Sequence, residues 1–378
     1  MKVVDHMNAP DRYQQDLETL HEDLAAANMA PTWKYVSEFV AKEPRVSFRP
    51  WLWRWDDVIP LLMRSGDLIT PERGAERRSM EHVNPDLKPF FSTSHTLATA
   101  FQLVRPGERA PAHRHAAGAI RFAARSKGGA VYTRVQGERL LMEENDLLLT
   151  PAGAWHEHAN DTTDDIVWLD ALDFPLVNLL QASVFEPGES DACAPKPDNF
   201  SRKHLGLYRP AGWSAYPESH PVMRYPWADM KQALDAFEGA AGSSYDGIVL
   251  DYVNPITSGP TLPTILCRAQ LLRPGEATEA HRSTSSTVYY AISGSGTTVI
   301  DGVAFDWSPG DVFVVPNWCW HEHVNGRAAS YLFSVTDEPV MIALGMYREV
   351  ALATGGRRQQ VTGRFQPESS PGSKRRVA

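Results

Sequence analysis

The sequence predicts a mainly β protein in which two similar β-barrels or sandwiches follow one another, preceded by a helical extension. From about residue 93, short runs rich in β-branched and aromatic residues alternate with Pro and Gly turns, and the same order of runs returns after residue 258. The decapeptide PGERAPAHRH at 106–115 aligns with PGEATEAHRS at 274–283, with six identical positions. The tetrapeptide Trp-His-Glu-His occurs at 155–158 and again at 320–323. Two copies of one β module are therefore expected.

Helical patterns precede the first module. Leu17, Leu20 and Leu24 recur at helical spacing and predict a helix near residues 11–29. A second helical stretch covers 53–66 and ends at Gly66, which can cap it. These patterns predict an extension that is helical or irregular rather than part of a barrel.

Changes in residue composition and in hydrophobic pattern along the chain give the predicted domain boundaries. The segment between the modules is rich in Pro, Ser, Asp and Ala and contains one helical pattern at 229–240, and the last stretch carries six Lys or Arg against one Glu. The prediction is an extension at 1–92, a first barrel at 93–185, a connector at 186–257, a second barrel at 258–350 and a disordered basic tail at 351–378.

Composition narrows the class of protein. The 378 residues have a formal net charge of −9, which disfavours coating of nucleic acid or of an anionic membrane. The sequence has no apolar run of the length of a membrane-spanning helix. Its three cysteines are few, odd in number and far apart, as in proteins of a reducing cytosol. We therefore expect a cytoplasmic enzyme or small-molecule binder without a nucleic-acid or membrane partner.

Histidines cluster inside the repeated modules. His113 and His115 are two residues apart, so a strand would point both imidazoles to one face. A third histidine, from a neighbouring strand, would complete a set of three metal ligands and leave positions open for a substrate. The alternative is that these histidines only form hydrogen bonds, but the repeated His-x-His pairs favour a metal site.

The motifs around these histidines resemble those of the cupin family. Gly107, five residues, His113, one residue and His115 resemble the start of the first cupin motif, and Asn145, then Pro151-Ala152-Gly153, His156 and Asn160 resemble the second, with Asn145 in the usual Gly place. The carboxylate usual after the first His pair is absent, since AAGAIRF follows His115. The resemblance implies a bicupin, two tandem jelly-roll barrels, whose metal has three neutral ligands and therefore favours an anionic chelating substrate.

Longer stretches closely resemble the gentisate 1,2-dioxygenase family, which includes salicylate and 1-hydroxy-2-naphthoate dioxygenases. PGERAPAHRH, LLLTPAGAWHEHAND and WLDALDFP carry the likeness, which runs from about Trp51 to Val350. It implies an extradiol-type oxidoreductase with one Fe(II) per subunit on His113, His115 and His156 of the N-terminal cupin. Dioxygen is the co-substrate, and the ring of a small aromatic hydroxy acid opens between its carboxyl-bearing and adjacent hydroxyl-bearing carbons.

The family resemblance also implies substrates and an assembly. The leading expected substrate is gentisate, which would be cleaved to maleylpyruvate. Salicylate, substituted salicylates and 1-hydroxy-2-naphthoate are the alternative substrates. The family implies a homotetramer or dimer. A non-catalytic bicupin that binds an aromatic acid is the alternative of another class, and a zinc hydrolase or isomerase on the same scaffold is a third.

Further residues match pocket positions of the family. The resemblance implies that Arg77 and Arg121 orient the substrate carboxylate, although either could form a structural salt bridge instead. It places His158 near the substrate hydroxyl, where an imidazole can donate a hydrogen bond or move a proton. The remaining matched pocket positions are Gln102, Ala98, where relatives carry Trp or Tyr, and Ala100.

Two further expectations concern the surroundings of the metal. Asp170 and Asp173 could orient the ligand imidazoles or merely end a strand. In the second module His281 and His321 survive at ligand positions, but Ser283 replaces the second histidine. A metal-free second barrel is therefore preferred, with a second metal site that includes His323 as the alternative.

Overall fold

The computed structural model describes residues 9–70, 73, 78–88, 90–126, 131–188, 193–204, 222–353 and 355–367. The chain divides into two compact units, Met1–Arg45 and Val46–Ala378. The first unit contains α1 (Ala9–Ala26) and α2 (Val36–Phe39), so the helix predicted near 11–29 is present. Among the helices of the described ranges, none is long and apolar enough to cross a membrane.

The second unit is built mainly from strands. Its helices are α3 (Trp55–Leu68), α4 (Phe174–Leu179), α5 (Phe200–His204), α6 (Trp227–Ala236) and α7 (Glu338–Ala343). Its strands up to the end of the first barrel are β1 (Trp51–Trp53), β2 (Ser79–Glu81), β3 (Ala98–Val104), β4 (Arg109–His115), β5 (Ala119–Arg125), β6 (Val131–Val135), β7 (Glu138–Leu141), β8 (Leu147–Thr150), β9 (His156–Asn160), β10 (Ile166–Leu172) and β11 (Phe185–Pro187).

The later strands repeat this pattern. They are β12 (Arg224–Tyr225), β13 (Ile248–Tyr252), β14 (Leu266–Leu272), β15 (His281–Ser283), β16 (Thr287–Ser293), β17 (Gly296–Ile300), β18 (Val303–Trp307), β19 (Val312–Val315), β20 (His321–Asn325), β21 (Ser330–Thr336), β22 (Glu349–Ala351) and β23 (Gly363–Arg364).

Each barrel consists of two sheets. The first barrel has a core sheet in the order β12-β8-β5-β10-β3-β2 and an outer sheet in the order β11-β4-β9-β6-β7. The second barrel has a core sheet β1-β19-β16-β21-β14-β13 and an outer sheet β22-β15-β20-β17-β18-β23. The mainly β architecture and the duplicated barrel predicted from the repeat are confirmed.

The two core sheets share one hydrophobic core. Phe122 on β5 stacks on Phe333 on β21, with ring centroids 4.1 Å apart and planes 19° apart. Tyr290 on β16 packs against both Phe101 and Phe122. All these side chains are almost completely buried, so each barrel covers the apolar outer face of the other.

Two equivalent polar contacts also join the barrels. Asp173, which precedes α4, accepts hydrogen bonds from the Gly118 amide and from the Thr264 hydroxyl just before β14. Asp337, which precedes α7, accepts from the Ser286 amide at 2.8 Å and from the Thr96 hydroxyl just before β3 at 2.5 Å. Asp173 of the first barrel thus holds the start of β14 in the second, and Asp337 of the second barrel holds the start of β3 in the first. Burial raises the pKa of Asp337 to about 6.

The sequence-based boundaries between extension, connector and barrels do not coincide with the sheets. β1, from the predicted extension, pairs with β19 of the second barrel, and β2, from the same segment, pairs with β3 of the first. From the predicted connector, β12 joins the first core sheet and β13 the second. Strand pairing over long sequence separations has no local signal, which explains the difference.

The tail predicted to be disordered from residue 351 is ordered over most of its described part. Gly363–Arg364 pair in parallel with β18, and the Phe365 ring packs on Phe305 with centroids 4.8 Å apart. The Gln359 side chain bonds to Gly302 and Val299. One aromatic ring and a few backbone bonds thus hold a segment of low hydropathy on the second barrel, while residues 368–378 lie outside the described ranges.

Two turn and cap expectations have different outcomes. Asn145, in the usual Gly place of the second cupin motif, has a φ of 66°, a left-handed conformation that asparagine tolerates. Gly66 does not end its helix, because α3 continues to Leu68. A Cβ on Gly66 would lie 2.6 Å from the Arg105 Nε, so the Arg105 side chain packs closely over this glycine.

Replacing Thr96 or Thr264 by Val should destabilise the two-barrel unit. Each change removes a hydroxyl donor and leaves a buried carboxyl oxygen without that hydrogen bond. The free energy of unfolding should fall by about 1–3 kcal/mol. Chemical denaturation of each variant would measure the free energy of unfolding. The exposed Thr163→Val is the matched control, and equal stability of all three variants would contradict the anchoring role.

Candidate metal centre

Three histidines converge inside the first barrel. His113 and His115 lie on β4 and His156 on β9, and the two strands are paired so that His113 is opposite His156. One ring nitrogen from each lies within 4.8 Å of the other two. The rings of His113 and His156 have centroids 4.3 Å apart. The alternation of a strand brings His113 and His115 to one face, as the His-x-His spacing predicted.

Backbone carbonyls fix the tautomer of all three imidazoles. The Nδ1 of His113, His115 and His156 lies 2.8–2.9 Å from the carbonyl oxygens of Pro111, Ala117 and Ala154, respectively. A carbonyl can only accept, so each Nδ1 carries the proton and each Nε2 presents a lone pair. This is the arrangement in which histidine binds a metal through Nε2.

The electrostatics of the triad fit a divalent cation. Burial, followed by the neighbouring His113 and His115, holds the pKa of His156 well below its usual value, so this imidazole is neutral. His113 and His115 are only half-buried, which leaves one side of the cluster accessible. Three neutral nitrogen donors suit iron or zinc and leave the charge of the ion uncompensated, which favours an anionic ligand.

A buried polar network lies beside the triad. The ring of His158 is 5.5 Å from that of His156, and its Nδ1 accepts hydrogen bonds from Arg121 Nη1 at 2.5 Å and from the Thr133 hydroxyl at 3.1 Å. Burial and the positive charge of Arg121 hold the pKa of His158 well below its usual value. The neutral ring that accepts at Nδ1 carries its proton on Nε2.

Arg121 is fully occupied by protein acceptors. Its Nε and Nη2 bind the two oxygens of Asp170 at 2.7 and 2.9 Å, Nη2 also donates to Gln102, and Nη1 donates to Thr133 and His158. These contacts account for all five N–H groups. The guanidinium also lies 4.0 Å from the centre of the Trp168 ring. In this arrangement the donors of Arg121 are directed at protein acceptors, chiefly Asp170 and His158, and binding of a substrate carboxylate by Arg121 stays a prediction of the family resemblance.

Gln102, Asp170 and Asp173 support the site indirectly. The Gln102 Oε1 accepts from Arg121 and from the Trp168 indole at 3.0 Å. Asp170 neutralises Arg121, and Asp173 binds Gly118 and Thr264. Of the two roles considered for these aspartates, orientation of a ligand imidazole describes neither, because backbone carbonyls orient the imidazoles. Asp173 does lie at a strand end, since β10 ends at Leu172.

A row of four residues crosses the core sheet on the face that carries Arg121. The strand registers pair Glu81 with Ala100, Ala100 with Asp170, and Asp170 with Arg121. Directly paired residues share one face of a sheet, so all four side chains point into the barrel. Ala98 lies on the same face two residues from Ala100, and both alanines are buried, with relative exposures of 0% and 2%.

Glu81 is a charged residue of this row that sequence reasoning missed. The residue is exposed to solvent, although neighbouring groups reduce the hydration of its carboxyl group. This loss of hydration, together with the negative charge of Asp170, raises the pKa of Glu81 to about 7. No local motif marks Glu81, because its relation to the site depends on the pairing of β2 with β3.

Phe185 is a second residue without a sequence signal. It lies on β11, pairs with His115, and stacks its ring on that of His113 with centroids 5.3 Å apart. An aromatic wall therefore flanks the accessible side of the triad. Arg77, expected to bind substrate, lies outside the described residues.

The second barrel brings together a different set of potential ligands. His281 on β15 faces His321 on β20, with ring centroids 4.3 Å apart, the same separation as for His113 and His156. Asp246, from the turn before β13, completes a group whose ligand atoms lie within 4.8 Å of one another. His323, the third member considered from the sequence, bonds through Nδ1 to Thr298 at 2.9 Å.

Comparisons with known proteins agree with this geometry. The sequence profile described as "Cupin domain" matches residues 100–172 and 269–335. A 5-aminosalicylate 1,2-dioxygenase of Comamonas sp is 77% identical over 361 residues, covering 95% of this chain and 96% of the relative. A gentisate 1,2-dioxygenase of Aquipseudomonas alcaligenes is 35% identical over 341 residues, covering 89% and 96%.

A solved structure is similar over nearly the whole chain. The crystal structure of salicylate 1,2-dioxygenase from Pseudaminobacter salicylatoxidans, described as adducts with gentisate, superposes with a TM-score of 0.82 at 29% identity. The match covers 94% of this chain and 97% of the other. The similarity therefore includes both barrels and not the cupin motifs alone.

Replacing His113 by Ala should remove the metal from the first barrel, because two imidazoles remain where three converge. We expect the metal content, measured by elemental analysis, to fall by one equivalent per chain while the circular dichroism spectrum stays unchanged. Arg114→Ala is the matched control, since Arg114 points away and pairs with Glu186. Equal metal content in the two variants would refute the assignment.

Proposed function

Because the chain belongs to the gentisate 1,2-dioxygenase family of ring-cleaving bicupin enzymes, we propose that it cleaves salicylates substituted at ring position 5, with 5-aminosalicylate as the leading substrate. It is a ring-cleaving dioxygenase of 2-hydroxy aromatic acids. The observation that carries the choice of substrate is the similarity to the Comamonas 5-aminosalicylate dioxygenase, which extends over almost the entire length of both chains.

We assign one Fe(II) per chain to His113, His115 and His156. This assignment is supported by three neutral Nε2 donors that converge in a cluster with one accessible side. When bound, ferrous iron would supply coordination positions for the substrate's carboxylate and phenolate oxygens and for dioxygen, and a path for electrons between them. The uncompensated charge of the ion favours this dianionic chelate over neutral phenols.

The protein's own groups position the reacting partners. His158 holds a proton on Nε2 within a buried site and can donate it in a hydrogen bond to an oxygen near the triad. Arg121 keeps that tautomer by donating to Nδ1, and Asp170 keeps Arg121 in place. We therefore assign His158 to direct contact with the reactants, and Arg121, Asp170 and Gln102 to its positioning. Arg77 stays a proposed carboxylate ligand by family resemblance alone.

Glu81 supports a substrate with a donor at position 5. A salicylate chelated through its carboxylate and 2-hydroxyl presents position 5, para to the hydroxyl, at the ring edge far from the metal. Glu81 lies on the opposite wall of the barrel, beside the small side chains Ala100 and Ala98, which leave room for a ring. A carboxylate there can accept from an amino group and has no donor to bind in unsubstituted salicylate.

Gentisate is the second candidate. Its 5-hydroxyl is also a donor, and four relatives in this family are named for gentisate. The barrel wall offers no feature among its described residues that distinguishes the amino group from the hydroxyl. A non-catalytic acid-binding role predicts retention of ligand without consumption of dioxygen.

We further infer a cytoplasmic homo-oligomer, dimer or tetramer. The described cysteines are all free, in keeping with a reducing compartment. The end of α4 and the segment after it expose several large apolar side chains, with exposures of 75% for Leu179, 67% for Leu180 and 54% for Val184. Exposed apolar side chains of this kind are typical of a contact surface, and light scattering of the purified protein would give the assembly.

Oxygen uptake by the Fe(II)-reconstituted protein tests the proposed function. We expect the highest kcat/KM with 5-aminosalicylate, lower values with gentisate and the lowest with salicylate. The absorbance of the ring-opened product should grow with the oxygen consumed. Uptake on gentisate alone would transfer the assignment to the second candidate. Absence of uptake on every acid, with iron bound, would overturn the enzymatic assignment.

Replacing Glu81 by Leu should reduce the preference for a 5-substituent. We expect kcat/KM for 5-aminosalicylate to fall about tenfold, as for one lost hydrogen bond to a charged acceptor, and that for salicylate to change less than twofold. In the parent protein the preference should rise as pH increases through about 7, because Glu81 loses its proton there.

Two variants control this experiment. Glu81→Gln retains an acceptor but cannot ionise, so its preference should be independent of pH. Glu18→Gln makes the same change of charge at an exposed position of α1, which is distant in the sequence from Glu81. If Glu81→Leu loses activity equally on all three acids, Glu81 does not select position 5.

A further inference from the structure

The interior of the second barrel contains a cavity of about 730 Å³ with an excess of negative charge. Its lining includes four carboxylates, those of Asp246, Asp251, Glu338 and Glu349, and one guanidinium, that of Arg268. Arg268 binds Asp251 at 2.8 Å and Glu338 at 2.9 Å. Two carboxylates, Asp246 and Glu349, therefore remain beside the paired histidines.

The ring of His281 is fixed with a lone pair directed into the cavity. Its Nδ1 lies 2.7 Å from Glu349 Oε1, so Nδ1–H donates to that carboxylate. Carboxylate–histidine contacts of this type accompany histidines that bind metals through the other ring nitrogen. The His281 Nε2 is buried without a hydrogen-bond partner among the described residues. The ring of Tyr245 stacks on His281, with centroids 5.1 Å apart, and restricts its rotation.

The unpartnered Nε2 of His281 faces a carboxylate at a distance that suits a shared metal. It lies 3.6 Å from Asp246 Oδ1, which is too long for a hydrogen bond. Two ligands that are each about 2.0–2.2 Å from one metal lie about 3–3.5 Å from each other. The other oxygen of Asp246 accepts from the Ser243 hydroxyl at 3.1 Å, which holds Oδ1 toward the histidine.

His321 completes the set from the opposite strand. It is 6% exposed, and its Nδ1 is buried without a hydrogen-bond partner within the described ranges. With His281 and Asp246 it forms three ligand atoms within 4.8 Å of one another. Two imidazoles and one carboxylate are a donor set that binds first-row divalent metals such as Fe(II) with open positions.

We propose that Asp246, His281 and His321 form a second divalent-metal site inside the C-terminal barrel. The site differs from the first in its third ligand. Ser283 stands at the position of the second histidine of the pair, and a carboxylate from the turn before β13 supplies the third ligand instead. A bound ion joins this turn to β15 and β20. It therefore stabilises the folded second barrel, by an amount that grows with the concentration of the ion.

The test isolates the second site in the full-length protein. A His113→Ala background removes the first site, and chelator-treated protein is titrated with Fe(II) under argon by calorimetry, followed by elemental analysis and thermal melting. We expect one ion per chain and a rise in the melting temperature on addition of metal. Absence of binding in this background would overturn the proposal.

Further variants in the same background identify the ligands. Asp246→Asn and, separately, His281→Ala should each weaken binding at least tenfold and abolish the thermal shift. Asp251→Asn is the matched control, because this carboxylate lines the same cavity but pairs with Arg268, and it should bind as tightly as the background protein. Equal loss in Asp246→Asn and Asp251→Asn would show that the ion is held only by the general charge of the cavity, and would also overturn the proposal.

Discussion

The shared core between the two barrels is the constraint on which the rest of the structure depends. The outward faces of β5, β16 and β21 are apolar, and the stacked pair Phe122 and Phe333 lies where they meet. Neither barrel could leave such a face in water, so the second barrel is required for the first to fold whether or not it binds a substrate. The contacts of Asp173 and Asp337 with the opposite barrel then fix how the two sheets meet. The histidines lie on the outer sheets, away from this core, and face the barrel interiors.

The two barrels retain the same histidine pair but have diverged around it. In the first, Arg121 and Asp170 are paired across neighbouring strands, and in the second Tyr289 and Ser334 are paired in the same way. The charged pair holds His158 beside the triad, whereas Tyr289 stacks on Phe313 and lines the cavity of the second barrel. The reaction chemistry is therefore proposed for the barrel with the buried ionic network, and the metal binding proposed for the second barrel requires only the histidine pair and a third donor.

Part of this organisation could be predicted from the sequence, and the reason differs from residue to residue. The duplicated fold and the shared face of His113 and His115 follow from periodicity and spacing, which are local properties, whereas His156 was implied by the family resemblance. Arg121 was expected in the pocket by the same resemblance, but its engagement with Asp170 depends on the register of β5 against β10. Glu81 and Asp246 had no signal, because each reaches its site only when a strand or turn from outside the repeated motifs is added to a barrel. Ordering of the segment up to residue 367 likewise depends on a surface that the second barrel provides.

The pairing of β1 with β19 has a consequence for folding of the chain during its synthesis on the ribosome. Trp51 is opposite Val314, so two adjacent strands are separated by 263 residues of chain. At about 5–20 residues per second of synthesis, the segment Trp51-Leu52-Trp53 waits on the order of 10–50 seconds for its partner to be made. During this interval two tryptophans and a leucine stand at the surface of a nascent chain that cannot yet close its second sheet. Pairing of β1 with β19 must therefore follow the synthesis of most of the chain, and until then this apolar segment is open to aggregation.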